Sequence, residues 1–187
     1  MKTLWMSFKI LIFFSLVLGL GYPFFITAVS YSSMRDKAEG SLIFVDGKPV
    51  GSSLIAQKFT AKKYFFSRPS AADYNASASA ASNYGPTSKA LMDRVTGDIK
   101  KARADNGIPD ETALPADMVL SSASGLDPHI SAENALLQAK RVADARGIDV
   151  YEVRGLIKKN TDPDFVGVWG KPGVNVLALN IALDERK

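Results

Sequence analysis

A chain of 187 residues with 23 Lys and Arg, 19 Asp and Glu, one His and no Cys fits one ordinary domain plus a short extra segment better than two domains. The lack of cysteine excludes disulfides, thiol catalysis, thiolate metal sites and a lipid-modified cysteine anchor. Lys2 and Lys9 are the only charges in the first 34 residues, so the remainder carries 21 basic against 19 acidic side chains, too balanced for a nucleic-acid binder.

From Ile10 to Val29 the sequence is almost wholly apolar. Twenty such residues as a helix rise roughly 30 Å, the thickness of a bilayer's hydrocarbon core. Trp5 and Tyr31 flank the run where amphipathic rings favour the interface, and Pro23 should kink or loosen it, with Gly21 and Thr27 available to accommodate the break. A cleaved signal peptide ending at Ala28-Val29-Ser30 is the competing reading, but the apolar run exceeds the ~7–15 residues of a signal core. The expected layout is a cytoplasmic N-terminus over 1–9, a transmembrane helix over 10–31 and an extracytoplasmic soluble domain over 35–187. Its orientation follows from the positive N-terminus, which stays inside. Ser15 and Gly19 form a small-xxx-small pair that lets another membrane helix approach.

Beyond the anchor, Leu42 to Val45 reads as a strand, Asp46-Gly47 as a tight turn and Val50 to Ile55 as the returning strand, restricted by Pro49 and Gly51. Lys58 to Arg68 mixes Phe59, Tyr64, Phe65 and Phe66 with four basic residues; in a near-neutral domain this reads as aromatic core with solvated cations. Ser67 to Tyr84 has no helical or strand period and should be a loop. Pro86 to Ala104 should be a helix with Leu91, Val95, Ile99 and Ala102 on one face, ended by Asn106-Gly107. Met118 to Leu120 is a candidate short buried strand. Ser131 should cap a helix whose apolar positions are Leu136, Leu137, Val142 and Ala143 and which stops at Gly147. Asp149 and Glu152 mark the next helix, and Val174 to Leu183 reads as a buried strand. The pattern predicts an α+β fold: one membrane helix, then a single soluble domain with a small mixed sheet and about three helices.

The densest polar stretch, Ser121 to Ser131, holds the only His, with Asp127 and several Ser. A Ser-His-Asp site needs an imidazole bonded to both partners across the fold, and residues this close in a Pro-containing loop do not reach that geometry. No G-x-S-x-G turn or Ser-x-x-Lys pair is present, and one His without Cys argues against a transition-metal site. These residues therefore specify no catalytic or metal site. A membrane-tethered hydrolase built on Ser124, Asp127 and His129, or a secreted module whose Ser/Asn-rich loop holds a small ligand, remain the alternatives.

Four motifs, GSSLIAQKF (51–59), YFFSRPSAADYNASASAASNYGP (64–86), SGLDPHIS (124–131) and VNVLALNIALD (174–184), together resemble the C subunit of the Kdp-type potassium-transporting ATPase. The resemblance runs from the anchor to the C-terminus, and Tyr84 is a departure where Leu is expected before Gly-Pro. It implies a non-catalytic accessory subunit of a bacterial inner-membrane pump that imports K⁺ at the expense of ATP. The implied partners, besides the lipid bilayer, are a channel-like K⁺-binding subunit, a P-type ATPase subunit and a very small single-span subunit. ATP, Mg and K⁺ are used by that complex and none is assigned to this chain, although the resemblance carries an attribution of ATP binding; the sequence has no DKTGT phosphorylation motif and no TVGYG-like filter. The family's role is described as a catalytic chaperone that raises ATP affinity. The two polar, irregular segments are the candidate partner-facing or structural loops: Arg68, Pro69, Ser70, Tyr74, Asn75, Asn83 and Gly85 in one, and Ser124, Gly125, Asp127 and His129 in the other.

Overall fold

The computed structural model of the chain describes residues 1–163 and 170–186. The expected 35–187 domain therefore includes residues 164–169 and Lys187, which lie outside the described residues. The chain divides into two compact units, Met1–Leu42 and Ile43–Lys187.

The first unit is dominated by one continuous apolar helix, Lys2–Ser33, of 32 residues, with an 18-residue stretch of mean hydropathy 2.2. It consists of α1 (Lys2–Leu16), a π-helical turn at Val17–Gly21 and α2 (Tyr22–Ser33). Pro23 lacks an N–H and its ring crowds the preceding turn, so the expected break takes the form of a wider turn just upstream. The Thr27 hydroxyl donates to the Pro23 carbonyl at 2.8 Å, as a residue there can when the ladder is interrupted. The short helix α3 (Arg35–Ala38) follows. It closes through Gly40 at φ 88°, whose N–H donates to Lys37 O at 3.1 Å while Ser41 N–H donates to Asp36 O at 2.8 Å, a Schellman pair that turns the chain back.

The strand β1 (Leu42–Val45) and the strand β2 (Lys48–Ser52) form a two-stranded sheet. Asp46 and Gly47, at φ 51° and 74°, take the positive values that a two-residue hairpin turn needs. The second unit continues through α4 (Lys89–Asn106), a 3₁₀ turn at Ala116–Met118, β3 (His129–Ser131), α5 (Ala132–Arg146), α6 (Val150–Lys159), β4 (Thr161–Asp162), β5 (Gly173–Asn175) and α7 (Val176–Asp184). β5 is central in an antiparallel sheet of order β3-β5-β4, with Ile130 opposite Val174 and Thr161 opposite Val174. The fold is α+β: among the described residues the part beyond the apolar helix has two small sheets and five α-helices, α3 to α7, where one small sheet and about three helices were expected.

Several expected boundaries hold. Ser131 Oγ accepts from Asn134 N–H at 3.1 Å, Asp149 Oδ1 accepts from Tyr151 N–H at 2.8 Å, and Gly107 and Gly147 end their helices in the left-handed conformation. Three expectations are corrected. Val174 to Leu183 is not a strand: β5 ends at Asn175, whose side chain accepts from Ala178 N–H at 3.1 Å and so starts α7. Met118 to Leu120 is no strand either, because the Ala116–Met118 turn aims the Asp117 carboxylate at the start of α5. The buried face of α5 is Ala135, Ala139, Val142 and Ala143, with Leu136 exposed. The helix is rotated to bring Asn134 and Gln138 inward.

The core joins Phe65, Ile130, Val142, Val153, Ile157, Val174, Leu179 and Leu183. Phe65 lies on no helix or strand, yet it is fully buried. Its N–H donates to Asn180 Oδ1 at 2.8 Å and its carbonyl accepts from Asn180 Nδ2 at 3.0 Å. Phe66 is paired in the same way by Gln138, at 2.8 and 3.1 Å. Arg141 donates to the carbonyls of Lys62 and Tyr64 and stacks on Phe66 at 3.9 Å, while Arg146 Nε donates to Lys63 O at 2.7 Å. Side chains of α5 and α7 thus serve residues 62–66 as a neighbouring strand would, which satisfies backbone groups that burial would otherwise orphan.

Asp184, at the end of α7, accepts from Arg146 Nη2 at 2.7 Å and from the Tyr64 hydroxyl at 2.8 Å. Burial alone would raise its carboxyl, but these hydrogen bonds and the guanidinium charge outweigh it and hold the pKa below the usual 3.8. A carboxylate with a depressed folded pKa stabilises the fold above its unfolded pKa and loses that contribution as pH falls through the folded value. The urea midpoint of Asp184→Asn should therefore lie below wild type at about pH 7, with the gap closing as pH falls below the usual carboxylate range. A gap that is unchanged or wider in acid would contradict this.

Candidate functional site

The two polar segments singled out in the sequence meet in the second unit, and their contacts are mostly between side chains of one and backbone of the other. The Arg68 guanidinium donates through Nη1 to Asp127 Oδ2 at 2.8 Å and through Nη2 to Leu120 O at 3.4 Å. Ser70 Oγ donates to Gly125 O at 2.6 Å and accepts from the N–H groups of Ala72 and Tyr74 at 3.2 and 3.0 Å. The Tyr74 hydroxyl donates to Arg68 O at 2.7 Å, and burial raises its pKa. Ser124 O receives Ser79 Oγ at 2.9 Å and Ala80 N–H at 3.1 Å. An irregular loop with this many side-chain bonds is ordered without a helix or strand.

Gly125 is where the two segments come closest. It takes φ 68°, and a Cβ there would lie 2.7 Å from Ala80 O and 3.0 Å from Ala72 Cβ. Gly125→Ala should cost about 1–3 kcal/mol, read as a lower thermal midpoint, since it combines left-handed strain with a clash against backbone. A variant as stable as wild type would show that the loops can part freely.

His129 is placed by the sheet. Its N–H donates to Asp127 Oδ1 at 3.0 Å, its Nε2 lies 3.4 Å from Asp162 Oδ2 on β4, and its Nδ1 lies 3.8 Å from Asp127 Oδ1. Ser124 Oγ instead accepts from Leu126 N–H at 3.1 Å and faces Ser122 Oγ at 3.4 Å. The imidazole lies 3.4 Å from Asp162 and 3.8 Å from Asp127, while Ser124 Oγ faces Leu126 N–H and Ser122 Oγ, so the nucleophile-base-acid order of a hydrolase is not assembled. Arg68, Ser124 and Asp127 line an open depression of about 630 Å³ together with Leu54 and Pro128.

Not every candidate joins this junction. Asn75 Oδ1 accepts from Ser77 N–H and Oγ at 3.1 and 2.7 Å, a local turn. Asn83 takes φ 51° and donates to Ala81 O at 3.3 Å, and Gly85 O accepts from Ser88 N–H at 3.0 Å just before α4. Pro69 lines a second cavity of about 560 Å³, with Lys58, Phe66, Tyr74, Gln138 and Arg141. Burial pushes the Arg141 guanidinium down to about 10, which leaves it cationic at neutral pH, and Asn106 and Gln138 accept its remaining hydrogen bonds at 2.8 Å each. Among the described residues no group of three or more His, Asp or Glu is arranged to hold a metal ion. The residues that sequence reasoning missed are the positioning groups Asp117, Asn134, Gln138, Arg141 and Asn180. For the four on α5 and α7 the signal was a polar residue on an otherwise apolar helix face; Asp117, in a short 3₁₀ turn, had none.

The family model described as K⁺-transporting ATPase, c chain, matches residues 4–185. The chain belongs to this family. A relative from Rhodopseudomonas palustris (strain BisB18) is 45% identical over 201 aligned positions that cover 100% of both chains. One from Cereibacter sphaeroides (strain ATCC 17029 / ATH 2.4.9) is 47% identical across 91% of this chain and 90% of its own. One from Mycobacterium bovis (strain BCG / Pasteur 1173P2) is 44% identical across 96% of each. All three carry the name Potassium-transporting ATPase KdpC subunit. The match to the C-chain family takes in the apolar helix, both polar loops and α7.

Proposed function

We propose that this C-chain family member is a non-catalytic accessory subunit of an ATP-driven K⁺ import complex in a bacterial inner membrane. The observation that carries the reading is the family match over residues 4–185, with relatives of that name aligned along their whole length. The single helix Lys2–Ser33 supports a single-pass anchor. The positive N-terminus with Lys2 and Lys9 supports a cytoplasmic start and an extracytoplasmic domain. Its partners are a channel-like K⁺-binding subunit, a P-type ATPase subunit and a very small single-span subunit, with Ser15 and Gly19 supplying a close-packing stripe for a neighbouring helix. The junction of Arg68, Ser70, Tyr74, Ser124, Gly125, Asp127 and His129 is the proposed docking surface.

ATP and Mg belong to the catalytic subunit in this reading. With the domain outside, any rise in ATP affinity travels through membrane subunits by a conformational equilibrium that both sites bias. The decisive experiment tags the C-terminus, solubilises membranes gently after growth at limiting K⁺ and identifies every chain that co-purifies. A P-type ATPase and a K⁺-channel-like chain are expected. Recovery of this chain alone, with those subunits demonstrably in the same membranes, would overturn the reading.

A further inference from the structure

The cavity of about 560 Å³ lies wholly within the second unit, between the irregular segment 58–74, the second half of α4 and the inward-facing polar residues of α5. That volume falls in the range of roughly 300–1,000 Å³ usual for small-molecule sites. Arg141 lines the cavity while only 7% exposed, and it stays cationic at neutral pH. Four of its five N–H groups are engaged: Nε by Asn106 Oδ1, Nη1 by the carbonyls of Lys62 and Tyr64, and Nη2 once by Gln138 Oε1. All four acceptors are neutral. Among the described residues Arg141 has no ion pair, and the carboxylate that attracts it, Asp105, is exposed on α4. Buried charges are normally paired, because taking an ion out of water without a counter-charge is costly.

The rest of the lining narrows the chemistry. Lys58 Nζ donates to Asp73 Oδ1 at 2.6 Å, and Asp98 lies 3.9 Å from Arg94, so these charges already have partners. Lys62 and Lys101 line the cavity too and form no ion pair among the described residues. In all, four cations and three carboxylates line it, which leaves one positive charge in excess. Between the charges stand the half-buried rings of Phe59, Phe66 and Tyr74. The Tyr74 hydroxyl already donates to Arg68 O, so Tyr74 offers the cavity its ring.

We propose that this cavity binds a small organic monocarboxylate, with its carboxylate set against the Arg141 guanidinium and its apolar body among Phe59, Phe66 and Tyr74. One negative charge matches the excess in the lining, and three rings favour an apolar or aromatic body over a bare ion. The same balance disfavours a polyphosphate, which would bring several charges to a lining that has one to offset. The inference goes beyond the accessory-subunit reading and does not rest on it.

The test titrates the ¹⁵N-labelled full chain in detergent with benzoate, phenylacetate and hexanoate, and separately with 2-phenylethanol, inorganic phosphate and ATP. Amide resonances and the Arg141 Nε–H resonance report binding. At least one carboxylate should give saturable shifts confined to residues 58–74, 98–106 and 134–141, Arg141 Nε–H included. The neutral alcohol, phosphate and ATP should each bind at least about tenfold more weakly, the loss expected when a charge-assisted hydrogen bond or a matching charge is missing. Arg141 also bonds the backbone at residues 62 and 64, so the variant chosen is the double Lys62→Gln, Lys101→Gln, which keeps those bonds. It should weaken the best carboxylate by about tenfold. No saturable shift with any of the three carboxylates overturns the proposal. So does an alcohol, phosphate or ATP that binds as tightly as the best carboxylate, or a double variant that binds it as tightly as wild type.

Discussion

Phe65→Ala is expected to lower the stability of the soluble domain by about 3–5 kcal/mol, the usual result of truncating a fully buried aromatic side chain in a packed core. Against the roughly 5–15 kcal/mol that holds a typical domain together, that loss leaves little margin. Phe65 contacts a core built from α5, α6, α7 and β5, so the cavity would open at the point where these elements converge. Urea unfolding of the full chain in detergent, followed by near-UV circular dichroism, should show a midpoint displaced far to lower urea with a similar slope. A shift of less than about 1 kcal/mol would mean that the site collapses freely and that the core lies elsewhere.

The second large effect is expected at Asn180, which is 2% exposed and gives both halves of its amide to the Phe65 backbone. Asn180→Ala leaves a buried N–H and a buried carbonyl without partners, at about 1–3 kcal/mol each. Asn180→Asp separates hydrogen bonding from packing. It keeps the acceptor for the Phe65 N–H but sets a carboxylate against the Phe65 carbonyl, so it should be at least as damaging as Ala at neutral pH and partly recover in acid. If both variants unfold at the wild-type midpoint, the amide pairing does not hold residues 62–66 in place.

The helices with clear punctuation were legible because their signals are local. Ser131, Asp149, Gly107 and Gly147 each act within a few residues of where they stand, and Asp46-Gly47 carries its turn in its own backbone. The loop over 67–84 was legible for the same reason, through a lack of period and a wealth of side chains able to bond nearby backbone. α7 was not legible, since an apolar run of that length suits a buried strand or a buried helix equally, and what decides it is Asn175 acting as a cap. The rotation of α5 was hidden too, because the inward-facing Gln138 pairs with the backbone of Phe66, 72 positions earlier. Of the candidate loop residues, Arg68, Ser70, Tyr74, Ser124, Gly125 and Asp127 come together, a meeting that no local pattern in the sequence announces. Asn75, Asn83 and Gly85 have the same composition but serve their own turns.

The pairing of Phe65 with Asn180 joins residues 115 positions apart. A ribosome delivers the amide that Phe65 needs only after a further 115 residues have been added. Until α7 is made the Phe65 peptide groups therefore wait without their amide, even after Gln138, Arg141 and Arg146 of α5 have become available to their neighbours. A product cut short before α7 would keep the Phe65 peptide groups unpaired, a mark by which quality-control proteases could recognise it.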